Sequence, residues 1–134
     1  MIMETDIRVG NLLGYFNLYM AEEVFRVEGI LEGFVYNSGL PRSKLPFSKV
    51  NPLELDADQL LQFGFVQGDR TYGEEESIYS FRYDRQNSIY IRDEGYSFCL
   101  LAPADGKWIP YGRRVVHVHQ LQNVFYDLTG EELG

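Results

Sequence analysis

The sequence predicts a single α+β domain, and three observations carry that expectation. At 134 residues the chain is near the commonest size for one domain with one core. Apolar and polar residues alternate with a period of two in short runs separated by glycine-bearing turns, the pattern of antiparallel strands. Helical spacing is confined to a short stretch in the middle and a longer one at the end, each with a recognisable cap. The expected order is N-terminal strands and a connector over 1–50, a short helix within 51–66, a β-meander over 72–118 and a C-terminal helix over 118–130.

IRVGNLLGY at 7–15 places Ile7, Val9, Leu12 and Leu13 around a Gly10-Asn11 interruption, which predicts a strand with a bulge or sharp bend. In VFRVEGIL at 24–31, Phe25 and Val27 alternate with Arg26 and Glu28, so the first pair is expected inside and the second in solvent. FVYN at 34–37 continues the pattern, and the three runs together predict a small curled sheet, of which an SH3-like partial barrel is one form. Pro41, Pro46 and Pro52 predict a surface connector over 38–55, because proline removes a backbone donor and locks φ. In LDADQLLQFGF, Asp56 and Gln59 have the spacing of a capping box, Gly64 ends the helix, and Leu60, Leu61 and Phe63 are expected to face the core.

SIYSFRYD places Tyr79, Phe81 and Tyr83 on one face, SIYIRD turns Ile89 and Ile91 inward, and YSFCLLA, KWIPY and RRVVHV complete the meander. At the end, Val118, Leu121, Val124, Phe125 and Leu128 form the apolar stripe of a helix packed on the sheet. Gln120, Gln122, Asn123 and Asp127 are assigned to its solvent face, with Gly130 as the left-handed residue that closes it.

Composition narrows the function. Twelve basic against twenty acidic residues give a net charge of −8, which disfavours binding to a phosphate backbone. No apolar run approaches the roughly 20 residues that span a bilayer. The N-terminal MIMETDIRVG, with Glu4 and Asp6, lacks a basic region followed by an apolar one, so a cytoplasmic setting without membrane attachment is expected. The single Cys99 lies in an apolar run and reads as a packed rather than a reactive residue.

Chemistry-bearing patterns are sparse. There is no phosphate-binding loop, dinucleotide fingerprint, C-x-x-C, H-E-x-x-H or nucleophile elbow. No catalytic residue, metal ligand or cofactor is therefore assigned. His117-Val-His119 is the one pair with metal-ligand spacing, but a strand-borne His-x-His supplies two ligands where a catalytic zinc site needs three. Asp105, Glu94 and Asp127 are the carboxylates considered for the third. The structural alternative is that the histidines mark the junction of strand and helix. Tyr111, Arg113 and Arg114 place an aromatic ring beside the only basic doublet and are candidates, with His117 and His119, for contact with a ligand or partner. Ten tyrosines exceed ordinary usage and suit an interface, although strands favour aromatic residues in any case.

Three segments carry a resemblance: Arg8-Val-Gly-Asn-Leu12, Phe63-Gly-Phe65 at the end of the short helix, and His119-Gln-Leu-Gln-Asn-Val-Phe-Tyr-Asp-Leu-Thr-Gly-Glu-Glu-Leu133, the most specific. On these the chain resembles a group of small uncharacterised proteins encoded in bacterial genomes, often within prophages or other mobile elements. The resemblance implies a cytoplasmic setting and a mobile-element origin, and it brings no activity, ligand or site. The function expected from the residues is a non-enzymatic module that binds another protein or a second copy of itself through an aromatic face or a strand edge. The alternatives are a metal-dependent enzyme built on His117 and His119, and an acidic inhibitor that imitates nucleic acid.

Overall fold

The structure is a computed structural model that describes residues 6–133; Glu4, which entered the reading of the N-terminus, lies outside them. The fold is α+β, with two α-helices and three antiparallel sheets among the described residues. The chain forms two compact units: residues 6–54 with 117–133 make one, and Leu55–Val116 the other.

The first unit begins with a hairpin of β1 (Leu12–Phe16) and β2 (Glu22–Arg26), in which Leu13 faces Phe25 and Gly14 faces Val24. The chain then bends into β3 (Gly29–Leu31), which pairs with β4 (Phe34–Tyr36), which in turn pairs with β5 (Lys44–Pro46). The bend shows in two consecutive amides. Val27 N–H donates to Asn11 on the β1 side at 2.8 Å, and Glu28 N–H donates to Tyr36 on the β4 side at 2.8 Å. One run of backbone is thus shared between two sheets, which is how a short strand curls around a core. The free side of β1 is met at Gly14, which exchanges backbone hydrogen bonds with Asn51 at 2.9 and 2.7 Å. Ile7, Leu13, Tyr15, Phe25, Val27, Val35, Leu40 and Val50 fill the interior, so Phe25 and Val27 point inward as alternation predicts. The proline-rich connector is more ordered than expected. It contains β5 and two short 3-10 turns, Pro41–Ser43 and Phe47–Lys49, and Pro46 is accommodated because β5 is an edge strand.

The C-terminal helix α2 (Val118–Thr129) belongs to this unit and packs on β1. Gln120 Oε1 accepts from His117 N–H at 3.0 Å to open it, and Gly130, at φ 75°, closes it with an N–H bond to Tyr126. Its buried stripe is Val118, His119, Leu121, Gln122 and Phe125. This corrects the expected face: Leu128 is exposed and Gln122 fully buried. The reason is a set of polar contacts with the N-terminal segment. Gln122 Oε1 accepts from Leu12 N–H at 2.8 Å, and its Nε2 donates to Leu133 C=O at 3.1 Å. The equally buried Asn11 donates to Asn123 Oδ1 at 2.8 Å and accepts from Arg8 N–H at 2.6 Å. Arg8 forms a two-pronged pair with Glu132, and its guanidinium lies 4.2 Å above the Tyr126 ring. Gly10 is required here. At φ 99° it adopts a left-handed conformation, and a Cβ would lie 2.7 Å from the Glu132 carboxylate that Arg8 holds.

The second unit opens on α1 (Ala57–Gln62), capped reciprocally by Gln59 N–H to Asp56 at 2.8 Å and Asp56 N–H to Gln59 at 3.0 Å. Leu60 is buried as expected, but Leu61 is exposed and Phe63 only half-buried, because one helical turn of core contact admits a single residue. After α1 comes a five-stranded meander of β6 (Val66–Asp69), β7 (Glu75–Arg82), β8 (Ser88–Asp93), β9 (Phe98–Ala104) and β10 (Lys107–Val115). β6 adds a strand that the sequence reading left out. β10 joins two segments that were read as separate strands, its register slipping between Tyr111 and Val115, where Gly112 has φ 69°. Tyr79, Ile91 and Leu100 stand opposite one another across three strands, and Phe65 adds an aromatic contact to Phe81 at 5.3 Å.

Leu121→Ala and Phe125→Ala should each cost about 2 to 5 kcal/mol in urea unfolding, and Leu128→Ala less than about 1 kcal/mol, because only the first two are buried. Equal losses at all three positions would place the helix face elsewhere.

Candidate functional site

The five residues expected to make contacts fall in different units: His117 and His119 in the first, Tyr111, Arg113 and Arg114 in the second. The histidines do stand together. His117 is the residue before α2, joined through a β-bridge to Glu54, and His119 lies in the first turn of the helix. Their rings are stacked at 5.7 Å with 15° between planes. His119 is only 4% exposed, and its Nδ1 has no hydrogen-bond partner among the described residues. Burial, with a smaller contribution from neighbouring His117, lowers its pKa from 6.5 to about 4, against an opposing pull from Asp6. The neutral ring also suits the positive end of a helix dipole. Among the described residues no group of three or more histidine, cysteine, aspartate or glutamate side chains is placed to hold a metal ion.

Arg114 is held by Glu94 and reaches Ser97 Oγ at 3.2 Å, so half of the basic doublet offsets an acidic neighbour on its own surface. Arg113 is exposed on the edge strand β10, and Tyr111 is partly exposed, its hydroxyl pKa raised by desolvation and by nearby Tyr83. Pro110 on that edge blocks one position of further strand pairing. The tyrosines divide. Tyr79 is buried, Tyr90 and Tyr72 pack on Trp108 at 4.8 and 5.3 Å, and Tyr96 stands alone, 98% exposed, between β8 and β9. The acidic clusters are interrupted by arginine: Arg70 pairs with Glu74 at 3.3 Å and Arg92 with Glu75 at 3.6 Å. Cys99 is half-buried.

The feature that the sequence reading passed over is the tip of the β1–β2 hairpin. Leu18 is 99% exposed, Tyr19 91% and Met20 75%, and Phe16 and Val24 are also exposed on the outer face of the hairpin. This is a built turn. Asn17 Oδ1 accepts from Tyr19 N–H at 2.8 Å and Ala21 N–H at 3.1 Å, while the Asn17 backbone bonds to Ala21 and Met20 at 2.9 and 3.0 Å. Met20 completes it at φ 61°, a left-handed conformation that an unbranched side chain tolerates only at some cost. Beside the tip lies a cleft of about 750 Å³, walled by Phe16, Tyr19 and Met20 on one side and by Pro41, Leu45 and Lys49 on the other. The available signal was composition: FNLYMAEE puts three large apolar residues where a hairpin turn ordinarily carries glycine, asparagine or aspartate.

No family model, curated protein or solved structure matches the chain.

The depressed titration of His119 fixes a pH dependence. The unfolded side chain takes up a proton near pH 6.5 and the folded one only near 4, so stability is full above pH 6.5 and declines as the pH falls toward 4. The slope due to His119 should reach up to about 1.4 kcal/mol per pH unit. Urea unfolding of His119→Phe over that range should lack this component, and a profile identical to that of the parent chain would refute it.

Proposed function

We propose that this chain is a non-enzymatic module that binds another protein, and that the β1–β2 hairpin tip with its adjoining cleft is the contact surface. The observation that carries this reading is the combination of a hydrogen-bonded turn with three large apolar side chains held almost wholly in solvent. Isolated exposed apolar residues are ordinary, but a contiguous group that gains nothing from the fold costs solubility unless something covers it. The fixed backbone also supports binding, since an ordered tip loses little entropy when it docks. Tyrosine and methionine are enriched at such contacts because they offer large, adaptable apolar area. The cleft falls within the roughly 300–1,000 Å³ range of sites that enclose a ligand group.

Leu18→Ala and Tyr19→Ala should leave stability within about 0.5 kcal/mol of the parent chain, because neither side chain is packed. A photo-crosslinker in place of Tyr19 should give discrete protein adducts in an extract of the cells that encode the chain, and one in place of Tyr96, equally exposed but solitary, should not. Equal labelling from both positions would sink the proposal.

A further inference from the structure

We infer that the partner segment seated in this cleft carries carboxylates among its apolar side chains, an inference that rests on the docking reading above. The second wall of the cleft belongs to PRSKLPFSK at 41–49, which holds Arg42, Lys44 and Lys49 and no acidic residue, in a chain whose net charge is −8. Lys49 lines the cleft with Pro41 and Leu45, and Arg42 follows Pro41 directly. Lys44 lies over the Phe34 ring at 4.7 Å, a contact that leaves its charge uncompensated. None of the three makes an ion pair among the described residues. The one carboxylate on the opposite wall, Glu23, already accepts a hydrogen bond from the Tyr15 hydroxyl.

An occupant that covers Lys49 strips water from an ammonium group. Without a counter-charge that desolvation is unfavourable, and with a carboxylate it is offset by a charge-assisted hydrogen bond. The apolar half of the occupant meets Tyr19, Met20 and Leu45, so the complementary chemistry is a polypeptide segment with acidic and large apolar residues close together. An anionic lipid surface presents similar groups, but it is flat, whereas this cleft is walled on two sides and admits individual side chains. The unpaired Lys49 on the cleft wall also raises the rate of encounter with an acidic partner and makes it salt-sensitive.

The test is to select a display library of random peptides on the full chain, sequence the enriched pool, and measure the best binder by fluorescence anisotropy, with phosphatidylserine vesicles assayed in parallel. The expected pool pairs aspartate or glutamate with leucine, phenylalanine or tryptophan. Binding should weaken at least about tenfold with Lys49→Glu, persist with Lys49→Arg, and weaken with Tyr19→Ala. Enrichment of basic or wholly apolar peptides that still need Tyr19 would overturn the charge assignment and leave the docking surface standing. No enrichment, or binders indifferent to Tyr19→Ala, would overturn both. Vesicle binding lost with Lys49→Glu and no peptide selected would replace the partner segment with a membrane.

Discussion

The side-chain amide of Gln122 joins the two ends of the first unit. Its oxygen takes the Leu12 amide and its nitrogen serves the Leu133 carbonyl, and Gln122 itself is fully buried. Two backbone groups, one near each end of the described chain, therefore depend on one glutamine. An unpaired buried backbone group costs roughly 1 to 3 kcal/mol, so the helix cannot leave its seat on β1 without exposing that requirement. Asn11 extends the network to Asn123 and, through the turn at Arg8, to the Arg8–Glu132 pair. Apolar packing around Leu121 and Phe125 supplies the bulk of the attraction between helix and strand, and the amides set which face of the helix receives it.

This arrangement gives a physical role to the segments at the two ends of the unit. Arg8, Gly10, Asn11 and Leu12 on one side and Gln122, Asn123, Tyr126, Glu132 and Leu133 on the other are the two halves of that network. They serve the fold. The stacked histidines stand at the start of the same helix, where burial lowers the pKa of His119. The candidate contact surface lies in the part of the unit that this network does not use, at the far end of the hairpin from Leu12, where side chains are exposed and substitutions cost the fold little.

What the sequence made legible followed local rules. The capping box at Asp56 and Gln59, the glycine stop at Gly130, the inward alternation of Phe25 and Val27, and the meander of tyrosine-rich strands each depend on a few neighbouring residues. The errors were tertiary. Gln122 was assigned to solvent because a glutamine on a helix ordinarily is, and its bond to Leu12, more than a hundred residues away, is invisible to local spacing. The helix stripe rotated accordingly, leaving Leu128 exposed. Of the candidate site, the histidines and the arginine doublet were visible as patterns; the structure stacks the two histidine rings, pairs Arg114 with Glu94 and leaves Arg113 exposed. The hairpin tip was missed because it is a turn made of core-type residues, and period-based reading assigns such residues to strands.

Native-state hydrogen exchange of the Leu12 amide tests the account most directly, because that amide reports on a bond to a side chain of the distant helix. If the amide network joins the ends, Leu12 should exchange only when α2 opens, with a protection free energy within about 0.5 kcal/mol of the central α2 amides. Exchange of Leu12 at the rate of an exposed loop while α2 stays protected would show that Gln122 does not hold the N-terminal segment.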